Sequence, residues 1–331
     1  MRRSPVPKPL SRRLRVVALG GGTGLSTLLR GLKEYTSRIT AVVAVTDDGG
    51  SSGRLRKEMG VLPPGDIRDC LVALADAEPL MKELFDYRFN GEGPLAGHSF
   101  GNLFIAAMSE ITGDFELAIK ESSKVLVVRG HVLPSTLDNC TLGAVLEDGT
   151  VVMGETSISS SSYAIRKVFL EPRACAPLPE TLHAIENADV IVLGPGSLYT
   201  SVMPNLLVEG IAESIALSDA VKVYVCNVMT QPGETDGYTA QQHLAAIYDH
   251  VGADVVDAII VNNSPISEEV LDKYCREGSS PVSWDREALE HMGVRVMDAP
   301  VISRTNLARH DPAALSEEIM ALAVSHLLTG R

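Results

Sequence analysis

The chain has 331 residues, 45% hydrophobic and 21% charged, a composition of folded globular proteins with length for one large core or two smaller ones. A formal net charge of −13 argues against nucleic acid as the main partner, because neutralising a phosphate backbone needs a net basic face. A small nucleotide needs only a local positive pocket and stays open, whereas membrane insertion is not expected, since no apolar run approaches ~18 residues.

Residues 1–13, MRRSPVPKPLSRR, read as a disordered basic tail. No apolar segment with a cleavage site follows, so this is not a secretory signal. Val16 to Leu19 runs directly into three glycines, which fits a first strand (Leu14 to Leu19) and its turn. Leu25, Leu28, Leu29 and Leu32 recur at helical spacing, so a helix follows. Ile39 to Val45 is a second strand, and the resulting β-loop-α-β opening predicts a parallel, doubly wound sheet. A long loop is expected over 46–65, then helices from Ile67 to Ala77, Pro79 to Tyr87, Phe100 to Ile111, and from an Asp114 N-cap to about Ser122.

Between Lys124 and Met153 the pattern turns to strands: KVLVVRG, TLGAVLEDG and TVVMGE, with Glu147-Asp148-Gly149-Thr150 as a hairpin signal. This predicts a small antiparallel insertion in an otherwise parallel α/β fold. SISSSSYAI (157–165) reads as loop. The alternation then resumes. Strands are predicted at Ala188 to Leu193, Lys222 to Asn227, Ala258 to Asn262 and Val294 to Met297. Helices are predicted at Leu206 to Ile215, Thr239 to Tyr248, Ser267 (N-cap) to Tyr274, and after Asp311-Pro312. No repeat or interdomain linker interrupts residues 14–331. Cys70, Cys140, Cys175, Cys226 and Cys275 are widely spaced without a C-x-x-C pair, which reads as buried free thiols in a reducing compartment.

Special residues gather where strands end. Gly20-Gly21-Gly22-Thr23-Gly24-Leu25-Ser26 lies between the first strand and helix. Glycines there let backbone N–H groups reach a phosphate at a helix N-terminus, or simply allow close packing. No Gly-Lys-Ser/Thr follows, so it is not a Walker A loop. After the second strand comes Thr46-Asp47-Asp48-Gly49-Gly50-Ser51-Ser52-Gly53-Arg54. Asp47 and Asp48 could hold a divalent cation such as Mg²⁺ together with water and phosphate oxygens, hold a substrate hydroxyl, or cap a helix. Arg54 and Arg56 could clamp phosphate. Asp66, in Pro63-Pro64-Gly65-Asp66-Ile67-Arg68-Asp69, fits a helix N-cap. Gly97-His98-Ser99-Phe100-Gly101-Asn102 puts an imidazole and an amide at another helix start, with no Ser-His-Asp order nearby. Gly194-Pro195-Gly196-Ser197 follows a very apolar strand, and Asn227 and Asn262 end two more. Strand ends of an open α/β sheet share one rim, so these groups point to one site.

The strings GGGTGLS, TDDGGSSGRLR, PPGDIRDCLVALA, GHSFGNLFIAA, ADVIVLGPGSLYTSVMPNLLV and CNVMTQPGETDGY closely resemble the YvcK-type branch of the CofD-like family, the gluconeogenesis factors, over residues 16 to about 310. The resemblance implies a Rossmann-like three-layer sandwich forming a single nucleotide-binding domain over 14–331. The enzymatic branch is similar to 2-phospho-lactate transferase, which uses a guanosine nucleotide and magnesium. Its expected Gly-Asp-Asp and Pro-Asp-Leu-Asp-Thr segments are replaced here by Asp47-Asp48-Gly49-Gly50 and Pro64-Gly65-Asp66-Ile67-Arg68-Asp69. That departure favours a binding protein over a transferase, with no cofactor required. The other branch binds UDP-N-acetylglucosamine and UDP-glucose in the cytoplasm, and is associated with cell shape, peptidoglycan supply and gluconeogenic growth. On that resemblance Gly22, Thr23 and Asn227 face the nucleotide, Arg309 lies on phosphate, and Tyr274 is a base or sugar platform by stacking; together with the strand-end groups above, the nucleotide-sugar candidates also include Gly21, Gly24, Asp47, Ser51, Ser52, Arg54, Asp66, His98, Asn102, Gly194, Gly196 and Ser197. A homo-oligomer and a cell-wall enzyme or regulatory partner are expected on the same ground.

Overall fold

The computed structural model describes residues 11–77, 79–252, 255–303 and 307–329. The expected tail lies mostly outside them. Ser11 to Arg13 form a turn, closed by the Leu14 N–H on the Ser11 carbonyl (3.2 Å) with Leu14 buried.

Seven strands make the main sheet: β1 (Val16–Gly20), β2 (Ile39–Val43), β3 (His131–Pro134), β7 (Val190–Leu193), β8 (Val221–Val225), β9 (Ala258–Asn262) and β10 (Arg295–Ala299). Their order is β10-β9-β8-β7-β1-β2-β3, with every neighbouring pair parallel. Between β3 and β7, the chain forms a three-stranded antiparallel sheet from β4 (Thr141–Leu146), β5 (Val151–Met153) and β6 (Ile165–Glu171). The α/β expectation with a small antiparallel insertion therefore holds.

β1 reads VVALG and is buried throughout, as a central parallel strand covered on both faces must be. Val16 and Ala18 face one core layer, with Leu25, Leu29, Ile67, Leu71, Ile319 and Met320 from helices Gly22–Leu32, Gly65–Leu74 and Pro312–Thr329. Val17 and Leu19 face the other, with Leu142 and Leu170 of the antiparallel sheet and Leu244 and Ile247 of helix Ala240–Val251. The result is three layers around one sheet. The strand order reverses at β1: β2 and β3 extend one way, β7 to β10 the other.

Several local expectations are corrected. The predicted loop 46–65 contains a helix, Gly50–Met59, ended by Gly60 at φ 69°. KVLVVRG is not a strand: helix Phe115–Val125 runs into it, and Val127 then takes φ 51°. SISSSSYAI carries the end of a short helix, Glu155–Ser159, and the first residue of β6. The helix expected over 206–215 is split into Met203–Leu206 and Ile211–Leu217, with Gly210 at φ 77° between them. Asp66 is not an N-cap; Pro64 holds that position and Asp66 lies in the first turn. Asp114 does cap, accepting the Leu117 N–H at 2.7 Å. Finally, Cys140 and Cys175 form a disulfide, and Cys275 is exposed. Thr141 pairs with Glu171 across β4 and β6, which brings together two cysteines 35 residues apart in sequence.

Candidate functional site

β1 and β7 lie side by side with Leu19 opposite Leu193, so the turns that follow them meet. Gly21 precedes helix Gly22–Leu32 and offers no side chain to cap its first N–H groups. Gly22 takes φ +57°, a left-handed conformation that favours glycine. A Cβ on Gly24 would fall on the Pro195 carbonyl oxygen, so this glycine is fixed by turn-on-turn packing. Opposite it, Gly194 at φ +80° turns the chain into a single π-helical turn, Leu198–Val202.

A cavity of about 360 Å³ opens at these two turns. It unites Thr23, Gly24, Gly196, Ser197, Asn227, Tyr274 and Arg309, seven of the residues proposed from sequence. It lies outside the carboxyl ends of β1, β7 and β8, where the strand order reverses, the usual ligand position of an open α/β sheet. The helix start, where Gly21 brings no capping side chain, supplies partial positive charge and Arg309 a full one; the Arg309 side chain is exposed.

The floor of the cavity is held by a polar chain. Ser197 Oγ donates to Gln231 Oε1 (2.7 Å), Gln231 Nε2 donates to Glu234 Oε1 (2.8 Å), and Thr200 and Ser159 hydroxyls donate to the same carboxylate (3.1 and 3.0 Å). Two acceptors are left over. Asn227 Oδ1 and His310 Nε2 are buried without a hydrogen-bond partner among the described residues. Burial pushes the His310 pKa down to about 4, against the Cys226 backbone which favours its proton. At neutral pH it is an uncharged ring. His310, Gln231 and Glu234 are not among the site residues named from sequence, although Gln231 and Glu234 lie in the string CNVMTQPGETDGY, a few residues after Asn227.

The remaining predicted residues form an adjoining polar layer rather than cavity wall. Asp66 links the two, because its carboxylate accepts the Gly22 N–H. Burial, then the nearby Asp47 and Asp69, push Asp66 up to about 7. Asp47 Oδ1 accepts the Gly49 N–H (2.9 Å), and Asp48 Oδ1 accepts the Thr156 N–H and hydroxyl (2.9 and 2.8 Å). Ser52 Oγ accepts the Gly65 N–H (3.1 Å), Ser51 Oγ pairs with His98 Nδ1 (2.9 Å), and Arg54 donates to the Ala96 carbonyl (2.7 Å). Asn102 is buried at the start of helix Phe100–Thr112, where its N–H meets Ser99 Oγ (3.2 Å). Arg56 is taken up by Asn139 Oδ1 (2.6 Å) and the Cys140 carbonyl, so it holds the fold and is not a free phosphate clamp. Glu155, missed in the sequence, joins this layer. Burial and the charges of Asp47, Asp66, Glu234 and Asp48 push it up to about 9.

Among the described residues, no three His, Cys, Asp or Glu side chains converge as metal ligands. A magnesium ion at Asp47 would therefore need water and ligand phosphate to complete its shell. No helix among the described residues is long and apolar enough to cross a membrane.

Residues 16–302 match the family model of 2-phospho-L-lactate transferase CofD. The chain is 55% identical to a gluconeogenesis factor from Halalkalibacterium halodurans over 306 residues, 92% of this chain and 95% of that protein. It is 52% identical to the gluconeogenesis factor of Bacillus subtilis over 303 residues, 91% and 96% of the two chains. A crystal structure of a UPF0052 family member from Bacillus halodurans superposes with a TM-score of 0.90 at 55% identity, covering 92% of this chain and 98% of that one.

Proposed function

Because the chain belongs to the family of 2-phospho-L-lactate transferase CofD, and its cavity joins two strand-end turns to an arginine, we propose that it binds a UDP-sugar as a regulatory ligand. The observation that carries this is the convergence at one cavity of the Thr23-Gly24 helix start, the Gly194–Ser197 turn, Arg309, Tyr274 and the unpartnered Asn227 acceptor. A diphosphate has the charge for the first three. Tyr274 offers a ring face, and Asn227 a hydrogen-bonding amide, to the rest of such a ligand. The bound protein acts in the cytoplasm, as a homo-oligomer, on a cell-wall enzyme or regulator that sets precursor supply and cell shape under gluconeogenic growth.

The second reading is a magnesium-dependent phosphotransferase, motivated by the family model and by Asp47 and Asp48. In it Asp47 and Asp48 would hold the ion with ligand phosphate, and magnesium would supply charge neutralisation to the transferred group. The binding reading is preferred because Asp48 is already engaged by Thr156 and Asp47 by Gly49.

Thermal denaturation with and without ligands separates the two. UDP-N-acetylglucosamine at a large excess over its Kd is expected to raise Tm by several degrees, as any ligand selective for the folded state does. GDP at the same concentration is expected to leave it unmoved. A rise with GDP and none with UDP-sugars, or magnesium-dependent turnover that Asp47→Asn abolishes, contradicts the reading.

A further inference from the structure

Beside the first cavity lies a second, of about 200 Å³, and Asn227 and Val228 line both. Apart from Asn227, its wall is mainly apolar: Val228, Val261, Leu271 and Val282, closed by the indole of Trp284. The polar atoms of Asn262 are spent inside the fold. Its Nδ2 donates to the Ser264 carbonyl (2.8 Å), its Oδ1 accepts the Ser264 N–H (3.3 Å), and its carbonyl accepts Trp284 Nε1–H (3.1 Å). That last bond satisfies the only polar atom of Trp284 and fixes its ring.

The segment that carries Trp284 is itself clamped to the strand-end loop. The Val282 N–H donates to the Val228 carbonyl (3.0 Å), the Thr230 N–H to the Ser280 carbonyl (2.7 Å), and the Ser280 N–H to Thr230 Oγ1 (2.9 Å). The slot is thus built before any ligand arrives. At its boundary the buried Asn227 Oδ1 has no hydrogen-bond partner among the described residues. A sugar ring would need partners for several hydroxyls, which this wall does not offer. A flat heteroaromatic ring needs apolar and aromatic faces and a few hydrogen bonds at one edge. A carboxamide meets an imide edge with both groups: Oδ1 accepts the ring N–H and Nδ2 donates to the neighbouring carbonyl.

We propose that this second cavity is the base subsite: the nucleobase packs against Trp284 and is read at its edge by Asn227, while Tyr274 stays with the sugar side of the ligand in the first cavity. The assignment rests on the nucleotide-sugar reading above.

Trp284 is the one tryptophan of the chain, so intrinsic tryptophan fluorescence reports on this cavity. The full-length protein is titrated with UDP-N-acetylglucosamine while calorimetry measures heat on the same samples. Saturable quenching is expected, with the midpoint of the heat. UDP is expected to quench as well, and N-acetylglucosamine 1-phosphate, which lacks the base, is not. Trp284→Ala is expected to weaken UDP-N-acetylglucosamine by about tenfold, the scale of one lost base–aromatic stack. Heat from UDP-sugars with unmoved fluorescence, and an unchanged Kd in Trp284→Ala, overturns the base subsite and leaves nucleotide-sugar binding standing. Quenching by GDP and none by UDP upholds a base subsite but removes the uridine reading. Absence of heat from every UDP ligand removes both.

Discussion

At the scale of single residues, the site separates groups that bind from groups that hold the turns. Gly24 belongs to the second kind. Gly24→Ala would drive a methyl group into the Pro195 carbonyl, and we expect a loss of about 1–3 kcal/mol in chemical denaturation, the usual range for overpacking. Arg309 belongs to the first. Its side chain is exposed on the cavity rim, so Arg309→Glu should leave Tm nearly unchanged while weakening UDP-sugar binding by about tenfold or more, a direction set by reversing the charge presented to a diphosphate. Asp66 and Glu155 give the protein a pH dependence. Their pKa values, about 7 and about 9, lie above the 3.8 and 4.5 of the free groups, so the folded state holds more protons than the unfolded state between those limits. The stability they contribute is full in acid, falls as pH rises from 3.8 to about 7 on account of Asp66 and from 4.5 to about 9 on account of Glu155, and is level above those upper limits. In urea denaturation between pH 5 and 9, Asp66→Asn should make the fall shallower below pH 7 only, and Glu155→Gln should remove the part that continues above 7. An anionic ligand beside Asp66 further favours its neutral form, so binding near pH 7 should take up protons. Calorimetry in buffers of different ionisation heat measures that uptake.

Secondary-structure elements show what could be read before folding and what could not. The β1 run VVALG, the leucine spacing of helix Gly22–Leu32 and the glycines between them are local signals, and they place the Thr23-Gly24 side of the first cavity from sequence. Helix Gly50–Met59 was invisible because its stability is not local. It has two glycines, and only Ser51, Ser52 and Leu55 are buried. Ser52 at Gly65 and Arg56 at Asn139 and Cys140 hold it in place. Arg56→Ala should therefore cost about 1–3 kcal/mol, through hydrogen bonds made by a charged donor, and should raise amide exchange over 50–59 above the rest of the fold. KVLVVRG misled in the opposite sense: β-formers end a helix there because Val128 meets Ala75 only as an isolated bridge, with no neighbouring strand to extend. Cys140 and Cys175 could not be paired from spacing, since antiparallel pairing of β4 and β6 is what brings them together. His310 and Glu234 were unreadable for a related reason. Their importance lies in burial and in partners far along the chain.

For the whole molecule, the central fact is topological. The Gly-rich turn after β1 lies where the strand order reverses, so the crevice opens there and the turns after β7 and β8 complete it. The last helix, Pro312–Thr329, supports this arrangement from below, with Leu315, Ile319, Met320 and Ala323 in the same core as the first helix. Gly31 sits so close to it that a Cβ would fall on the Pro312 carbonyl. The most direct measurement of where the ligand binds is a crystal structure of the protein grown with UDP-N-acetylglucosamine. The diphosphate is expected between the Gly22–Gly24 and Gly194–Ser197 turns, within reach of Arg309. A ligand bound at the opposite end of the sheet, in the cavity lined by Arg15, Arg38 and His131, would contradict it.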